Sequence, residues 1–181
     1  MSKDPLDLKK FIRTVDNFPI DGITFRDITS LIETPEAFIK TCDELTKITR
    51  NFGADIVASI ESRGFIFAGT IARDLNLPFV LARKPGKLPN ETYKKSFDLE
   101  YGSTSIEIQK NTDIKDNQKI VIVDDLVATG GTAIACSEIF TENFSVKSEN
   151  ILILSIIDLP ELGGSRLISE KGYLIETLID Y

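Results

Sequence analysis

The sequence predicts an α/β fold: a mostly parallel central sheet flanked by helices. Three observations carry this. Short apolar runs recur along the chain: "DIVASI" (55–60), "PFVLAR" (78–83), "KIVIVDD" (119–125), "NILILSIID" (150–158) and "YLIETLI" (173–179). Segments of helical periodicity separate several of them, and such alternation favours parallel pairing through crossovers. The 181 residues show no internal repeat and no low-complexity linker, so one domain spanning 1–181 is expected.

Taken in order, Asp4-Pro5 predicts a first helix, with Asp as N-cap, Pro at the first helical position, and Leu8, Ile12 and Val15 on its apolar face. Residues 17–29, "NFPIDGITFRDIT", read as a loop. Thr34-Pro35 opens a second helix. There Phe38, Cys42, Leu45, Ile48 and Phe52 recur at helical spacing, and Asn51 and Gly53 supply stop signals. The strand at 55–60 is broken by "ESRG". "GFIFAGTIARDL" (64–75) is apolar on most faces and reads as a buried helix. After the strand at 78–83, residues 84–95 are polar, basic and turn-rich. "SIEIQ" (105–109) alternates and is expected to pair with the preceding segment in a hairpin. The strand at 119–125 leads to a helix at 130–143, and the strands at 150–158 and 173–179 follow.

Composition excludes several functions. The apolar share, 42%, is that of a globular core, so long disorder is not expected. A net charge of −7 opposes broad binding to nucleic acid or to an anionic membrane surface. The start of the chain is charged and lacks an apolar segment, and the most apolar run, 151–157, is too short to cross a bilayer. A cytoplasmic protein is expected. Cys42 and Cys136 lie far apart and read as small buried apolar residues. The chain has no histidine. That excludes Ser-His-Asp and Cys-His catalysis and HExxH zinc sites. Any chemistry falls to carboxylates, Lys, Arg, Tyr, backbone amides or a hard metal ion.

The densest signal is "VIVDDLVATGGTA" (121–133). An apolar strand ends in Asp124 and Asp125, and a loop with Gly130 and Gly131 between Thr129 and Thr132 leads into a helix. A helix N-terminus with close backbone approach suits an anion. The spacing fits neither a P-loop nor a dinucleotide fingerprint. A bare Gly-Gly turn without a ligand is the alternative. Two acids beside a phosphate loop make sense if the acids face sugar hydroxyls and the amides face the phosphate.

This stretch resembles the phosphoribosyl-diphosphate motif of type I phosphoribosyltransferases. "FPIDGITFRDIT" (18–29), "ESRGFIFAGTIA" (61–72), "RKPGKLP" (83–89) and "DLEYG" (98–102) resemble further blocks of the adenine phosphoribosyltransferases, in the same order. The resemblance implies a type I fold with a small base-binding hood at about 1–34 and a flexible loop at about 84–104. It implies transfer of phosphoribose from phosphoribosyl diphosphate to adenine, giving AMP and diphosphate, with Mg²⁺ held mainly through substrate and water near Asp124 and Asp125. A homodimer is implied as well.

The resemblance also implies residue roles. Thr24, Phe25 and Arg26 match the hood, and Leu126 would cover the other face of adenine. Glu61, Ser62 and Arg63 match the diphosphate loop, with a cis Glu61–Ser62 peptide expected. Lys84 and Lys87 would compensate the departing diphosphate. Glu100 and Tyr101 match the catalytic-loop pair, Glu100 taking the N7 proton. Asp124 and Asp125 would hold the ribose hydroxyls; Ala128, Thr129, Gly130, Gly131 and Thr132 would hold the 5′-phosphate. By composition alone, Phe25 is a core aromatic, Arg63, Lys84 and Lys87 are solvated charges, and Glu100 is a hairpin acid. The rivals are transfer to xanthine, hypoxanthine, guanine or orotate, and a non-catalytic sensor of phosphoribosyl diphosphate. Pro85, Ile23-Thr24 and Val127 depart mildly from the family pattern and remove no needed group.

Overall fold

The computed structural model describes residues 4–99 and 102–181. Its centre is a five-stranded sheet of β3 (Ile56–Ile60), β4 (Phe79–Ala82), β7 (Ile120–Val127), β8 (Ile151–Asp158) and β9 (Leu174–Asp180). The spatial order is β4-β3-β7-β8-β9, and every neighbouring pair is parallel. Parallel strands need both faces covered. The pleat meets that need: on β7, Val121 and Val123 enter one core, while Ile120 and Ile122 enter the other.

The first core holds α2 (Pro35–Phe52) and α3 (Gly64–Leu75). Leu45, Phe67 and Ile71 are fully buried there. The second core holds α4 (Gly131–Asn143) and a hairpin of β5 (Thr92–Leu99) and β6 (Gly102–Gln109). Ile106 and Ile108 on β6 pack beside Ile139 and Phe140 on α4. The alternation of "SIEIQ" is thus a strand with one apolar face. A short helix, α5 (Gly164–Glu170), links β8 to β9.

The N-terminal segment corrects the reading of a first helix. Asp4 does accept hydrogen bonds, at 2.7 Å from Leu8 N and 3.0 Å from Lys9 N, as a cap would. Asp7, however, is left-handed (φ 55°), and only a 3-10 turn follows at Lys9–Phe11. Leu8 and Ile12 reach the core without a helix. Val15 belongs to a strand, β1 (Arg13–Asp16), which pairs antiparallel with β2 (Thr24–Asp27). The segment read as a loop therefore contains a strand. Helix α1 (Thr29–Glu33) follows it. β7 also runs past its expected end, so Asp124 and Asp125 lie within the strand.

The sheet order positions the site. From β3 the chain crosses to β4 on one side; from β7 it continues to β8 and β9 on the other. Between β3 and β7 the winding reverses, and ligands of open parallel sheets gather at the carboxyl ends of strands at such a reversal. "ESRG" leaves β3 there, and the two aspartates sit on β7 beside it.

Candidate functional site

Two close approaches bring the β3 and β7 segments together. Ser59 Oγ donates to Val123 O at 2.7 Å. Gly64, at the start of α3, lies against β7: a Cβ there would sit 2.6 Å from Ser59 Oγ, 2.7 Å from Val123 O and 3.1 Å from Asp124 Cα. No side chain fits, so the turn of residues 61–63 is held close to Asp124. The Glu61–Ser62 peptide is cis.

Glu61 turns toward the next strand. Its Oε2 accepts from Arg83 Nε at 3.1 Å and from Lys84 N at 3.2 Å. Burial pushes its carboxyl up, but these bonds outweigh burial and hold it below the usual glutamate range. Arg83 also donates to Lys87 O at 3.1 Å, and Gly86 N donates to Glu107 Oε2 at 3.2 Å. The turn carrying Lys84 and Lys87 is thereby fixed at both ends.

The aspartates differ in setting. Asp125 N donates to Asp124 Oδ1 at 2.9 Å. Arg63 Nε lies 2.8 Å from Asp125 Oδ2, a close ion pair. Its angle is not that of a hydrogen bond, so Oδ2 keeps no hydrogen-bond donor. Burial raises the Asp125 carboxyl, opposed by Arg63. Burial raises Asp124 well above its ordinary range, and the charge of Asp125 adds to the shift. Asp124 keeps some accessible surface, which faces a cavity, while protein encloses it elsewhere.

That cavity has a volume of about 330 Å³. Glu61, Arg63, Lys84, Asp124, Asp125, Leu126 and Thr132 line the sheet side, and Phe97, Thr104, Ser105 and Ile106 line the hairpin side. A smaller concavity of about 90 Å³ adjoins it, formed by Asp124 and residues 126–133. Gly130 opens α4 with φ 81°, a backbone that disfavours any side chain. The first amides of α4 lack intrahelical partners, and the positive end of its dipole faces the same loop.

The structure gathers most of the residues singled out in the sequence. Glu61, Arg63, Lys84, Asp124, Asp125, Leu126 and Thr132 share the larger cavity; Ala128, Thr129, Gly130 and Gly131 form the smaller one. Phe25 comes near through Arg63, whose guanidinium carbon lies 5.3 Å from the ring centroid. Phe18 packs edge-on against Phe25 at 5.1 Å. Arg26 points elsewhere: its guanidinium lies 4.0 Å from the Tyr181 ring centroid and donates to Thr14 Oγ1 at 2.6 Å. Thr24 Oγ1 donates to Asp16 Oδ1 at 3.4 Å. Neither side chain lines the cavity, nor does Lys87. Ser62 sits in the turn between Glu61 and Arg63. Glu100 and Tyr101 lie outside the described residues.

Sequence reading missed Phe97, Thr104 and Ser105, which become wall residues only once the hairpin folds over the sheet. It also missed Gly164, which touches the glycine loop from behind. The second Gly-Gly pair, Gly163-Gly164, was the available signal. Among the described residues, no group of three or more acids or cysteines is placed to hold a metal ion.

An acid pair beside a glycine loop at a helix N-terminus, at the reversal point of a parallel sheet, defines an α/β protein with a ligand-sized cleft at its strand ends. The phosphoribosyl transferase domain family matches residues 29–162. The adenine phosphoribosyltransferase of Pelagibacter ubique is 41% identical, covering 97% of this chain and 98% of that one. That of Novosphingobium aromaticivorans is 44% identical, covering 97% and 96%. Among solved structures, adenine phosphoribosyltransferase from Thermoanaerobacter pseudethanolicus superposes with a TM-score of 0.87 at 38% identity, covering 97% of this chain and 98% of that one. The Giardia lamblia enzyme, complexed with 9-deazaadenine, gives 0.88 at 34%, covering 98% of each. The chain belongs to the phosphoribosyl transferase family, among its adenine phosphoribosyltransferases.

Proposed function

We propose that this chain transfers the phosphoribosyl group of phosphoribosyl diphosphate to adenine, giving AMP and diphosphate. One observation carries the reading: the 61–63 turn, the acid pair and the glycine loop open on adjoining concavities at a single end of the sheet. That sequence of groups suits diphosphate, ribose and 5′-phosphate in turn. The names of the relatives support adenine as the base, as does the 9-deazaadenine in the Giardia complex.

The bond from ribose C1 to the diphosphate oxygen breaks as adenine N9 bonds to C1. Positive charge grows on the ribose ring, and the departing diphosphate gathers negative charge. Arg63 and Lys84 compensate the latter through charge-assisted contacts. Asp124 and Asp125 accept hydrogen bonds from the ribose hydroxyls and set negative potential beside the ring. Residues 128–132 anchor the 5′-phosphate, and that remote binding orients C1. Phe25 and Leu126 enclose the base, and backbone groups at 24–26 read its edge. Glu100 accepts the N7 proton as N9 is alkylated. The 84–104 segment closes over the cavity and excludes water.

Mg²⁺ fits the donor set. Asp124 and Asp125 are hard oxygen acceptors that would hold the ion mainly through its waters, with substrate oxygens as its direct partners, since Mg²⁺ dehydrates reluctantly. When bound, the ion neutralises diphosphate charge. The same reading extends to a homodimer in the cytoplasm. No helix among the described residues is long and apolar enough to cross a membrane.

A panel of bases tests the function. Adenine, guanine, hypoxanthine, xanthine and orotate are each supplied with phosphoribosyl diphosphate and Mg²⁺, and nucleotide and diphosphate are quantified. Adenine is expected to exceed every other base by at least about 10²-fold in kcat/KM, the discrimination that unpaired polar groups impose. Equal turnover of another base overturns adenine as substrate. No diphosphate release with any base overturns catalysis.

A further inference from the structure

The connection from β8 to α5 runs along the back of the glycine loop. Leu159 N donates to Val127 O at 3.0 Å, and Gly164 N donates to Ala128 O at 3.1 Å. Both carbonyls that open the loop are held by this connection. A peptide unit is planar, with its C=O and N–H pointing opposite ways. Holding the Val127 and Ala128 carbonyls therefore turns the amides of Ala128 and Thr129 to the other side. The concavity within the loop is lined by Asp124 and residues 126–133, and by nothing from 159–164, so it lies on that other side.

The contact is backbone against backbone. A Cβ on Gly164 would sit 2.2 Å from Ala128 O, 2.7 Å from Gly130 N and 2.8 Å from Thr129 C. A Cβ on Gly130 would sit 2.9 Å from Gly164 O. No flexible side chain is there to yield, so a methyl group on either glycine displaces the loop itself.

We infer that Gly164 is a positioning residue for the 5′-phosphate of the sugar substrate: it buttresses the loop whose amides hold that phosphate. The inference rests on the sugar-phosphate reading of the loop given above. It separates the binding of the sugar phosphate from the binding of the base, since the three atoms nearest a Cβ on Gly164 all belong to the loop.

Gly164→Ala tests it, with Arg166→Ala on the exposed side of α5 as the control. Ribose 5-phosphate binding is measured by calorimetry, and KM is measured for each substrate. In Gly164→Ala, the dissociation constant of ribose 5-phosphate and the KM for phosphoribosyl diphosphate are expected to rise at least about tenfold, because a misplacement near 1 Å costs up to about 10²-fold. The adenine KM is expected to stay within about twofold, and Arg166→Ala to behave as wild type. Unchanged ribose 5-phosphate binding, or an equal rise in both KM values, overturns the inference. Should Gly164→Ala fail to fold, hydrogen exchange on the wild-type protein decides. Ribose 5-phosphate is expected to slow exchange at 126–133 and at 160–168 together. Slowing at 126–133 alone overturns the role of Gly164. Slowing at neither overturns the sugar-phosphate reading, and the inference with it.

Discussion

Asp124 and Asp125 are neighbours in sequence but unequal in setting. Asp125 has Arg63 at 2.8 Å, while Asp124 takes the amide of Asp125 and lies beside that residue's negative charge. The folded-state pKa of Asp124 lies above its unfolded value near 3.8. Its contribution to stability is therefore fullest below about that pH and is lost as pH rises through the folded pKa. Asp124→Asn removes this loss. It is expected to stabilise the ligand-free protein at neutral pH by about 0.5–2 kcal/mol, the usual gain from one stabilising substitution, while lowering turnover. Urea unfolding at several pH values checks this. The advantage of the variant should widen as pH rises above about 4, and a narrowing advantage or wild-type turnover would contradict the assignment. For Glu100, replacement by Ala is expected to lower kcat by about 10²–10⁴-fold with a smaller change in the adenine KM. A kcat loss under about threefold would remove it as proton acceptor.

At the scale of elements, α2 and α3 were legible because sequence-local rules decide them. Pro35 opens α2, and Gly53 closes it in a left-handed conformation. The strands of the sheet were legible as apolar runs. The β1–β2 hairpin was not. Its residues are mostly exposed or half-buried, so it lacks the period-2 alternation that marks a strand. Helix α5 was missed for the related reason that seven residues carry too few turns to show a period. The β5–β6 hairpin was anticipated as a pairing, but its attachment was not. Lys95 reaches Glu142 at 2.5 Å and Glu138 at 3.0 Å on α4, and Ile108 is buried beneath. The ion pairs are partly exposed and screened, so Lys95→Ala is expected to cost under about 1 kcal/mol. Ile108→Ala should cost about 2–5 kcal/mol. Urea unfolding of both variants measures the contrast, and a larger loss from Lys95→Ala would reverse the account of what holds the hairpin.

For the whole molecule, the Mg²⁺ dependence proposed above would separate catalysis from folding. Among the described residues no acidic cluster is arranged to bind a metal alone. On the proposed mechanism the ion arrives with the substrate, so a chelator is expected to abolish transfer, and added Mg²⁺ to restore it. Melting of the ligand-free protein should shift by less than about 1 °C with Mg²⁺, since a ligand stabilises only the state that binds it. A large shift would mean a resident metal site in the folded chain.

The sequence by itself determined the α/β class, most helices and strands, and the chemistry available without histidine. It also held the glycine loop with its two aspartates, because that loop is contiguous and its residue types state their own backbone needs. The tertiary structure decided the rest. The order β4-β3-β7-β8-β9 brings "ESRG" beside Asp124 across 60 residues of chain. It pairs Arg63 with Asp125, turns Arg26 onto Tyr181 and sets Gly164 behind the loop. These contacts depend on which strands become neighbours. Strand order follows from burying both faces of the sheet at once, a global condition that no local pattern of residues records.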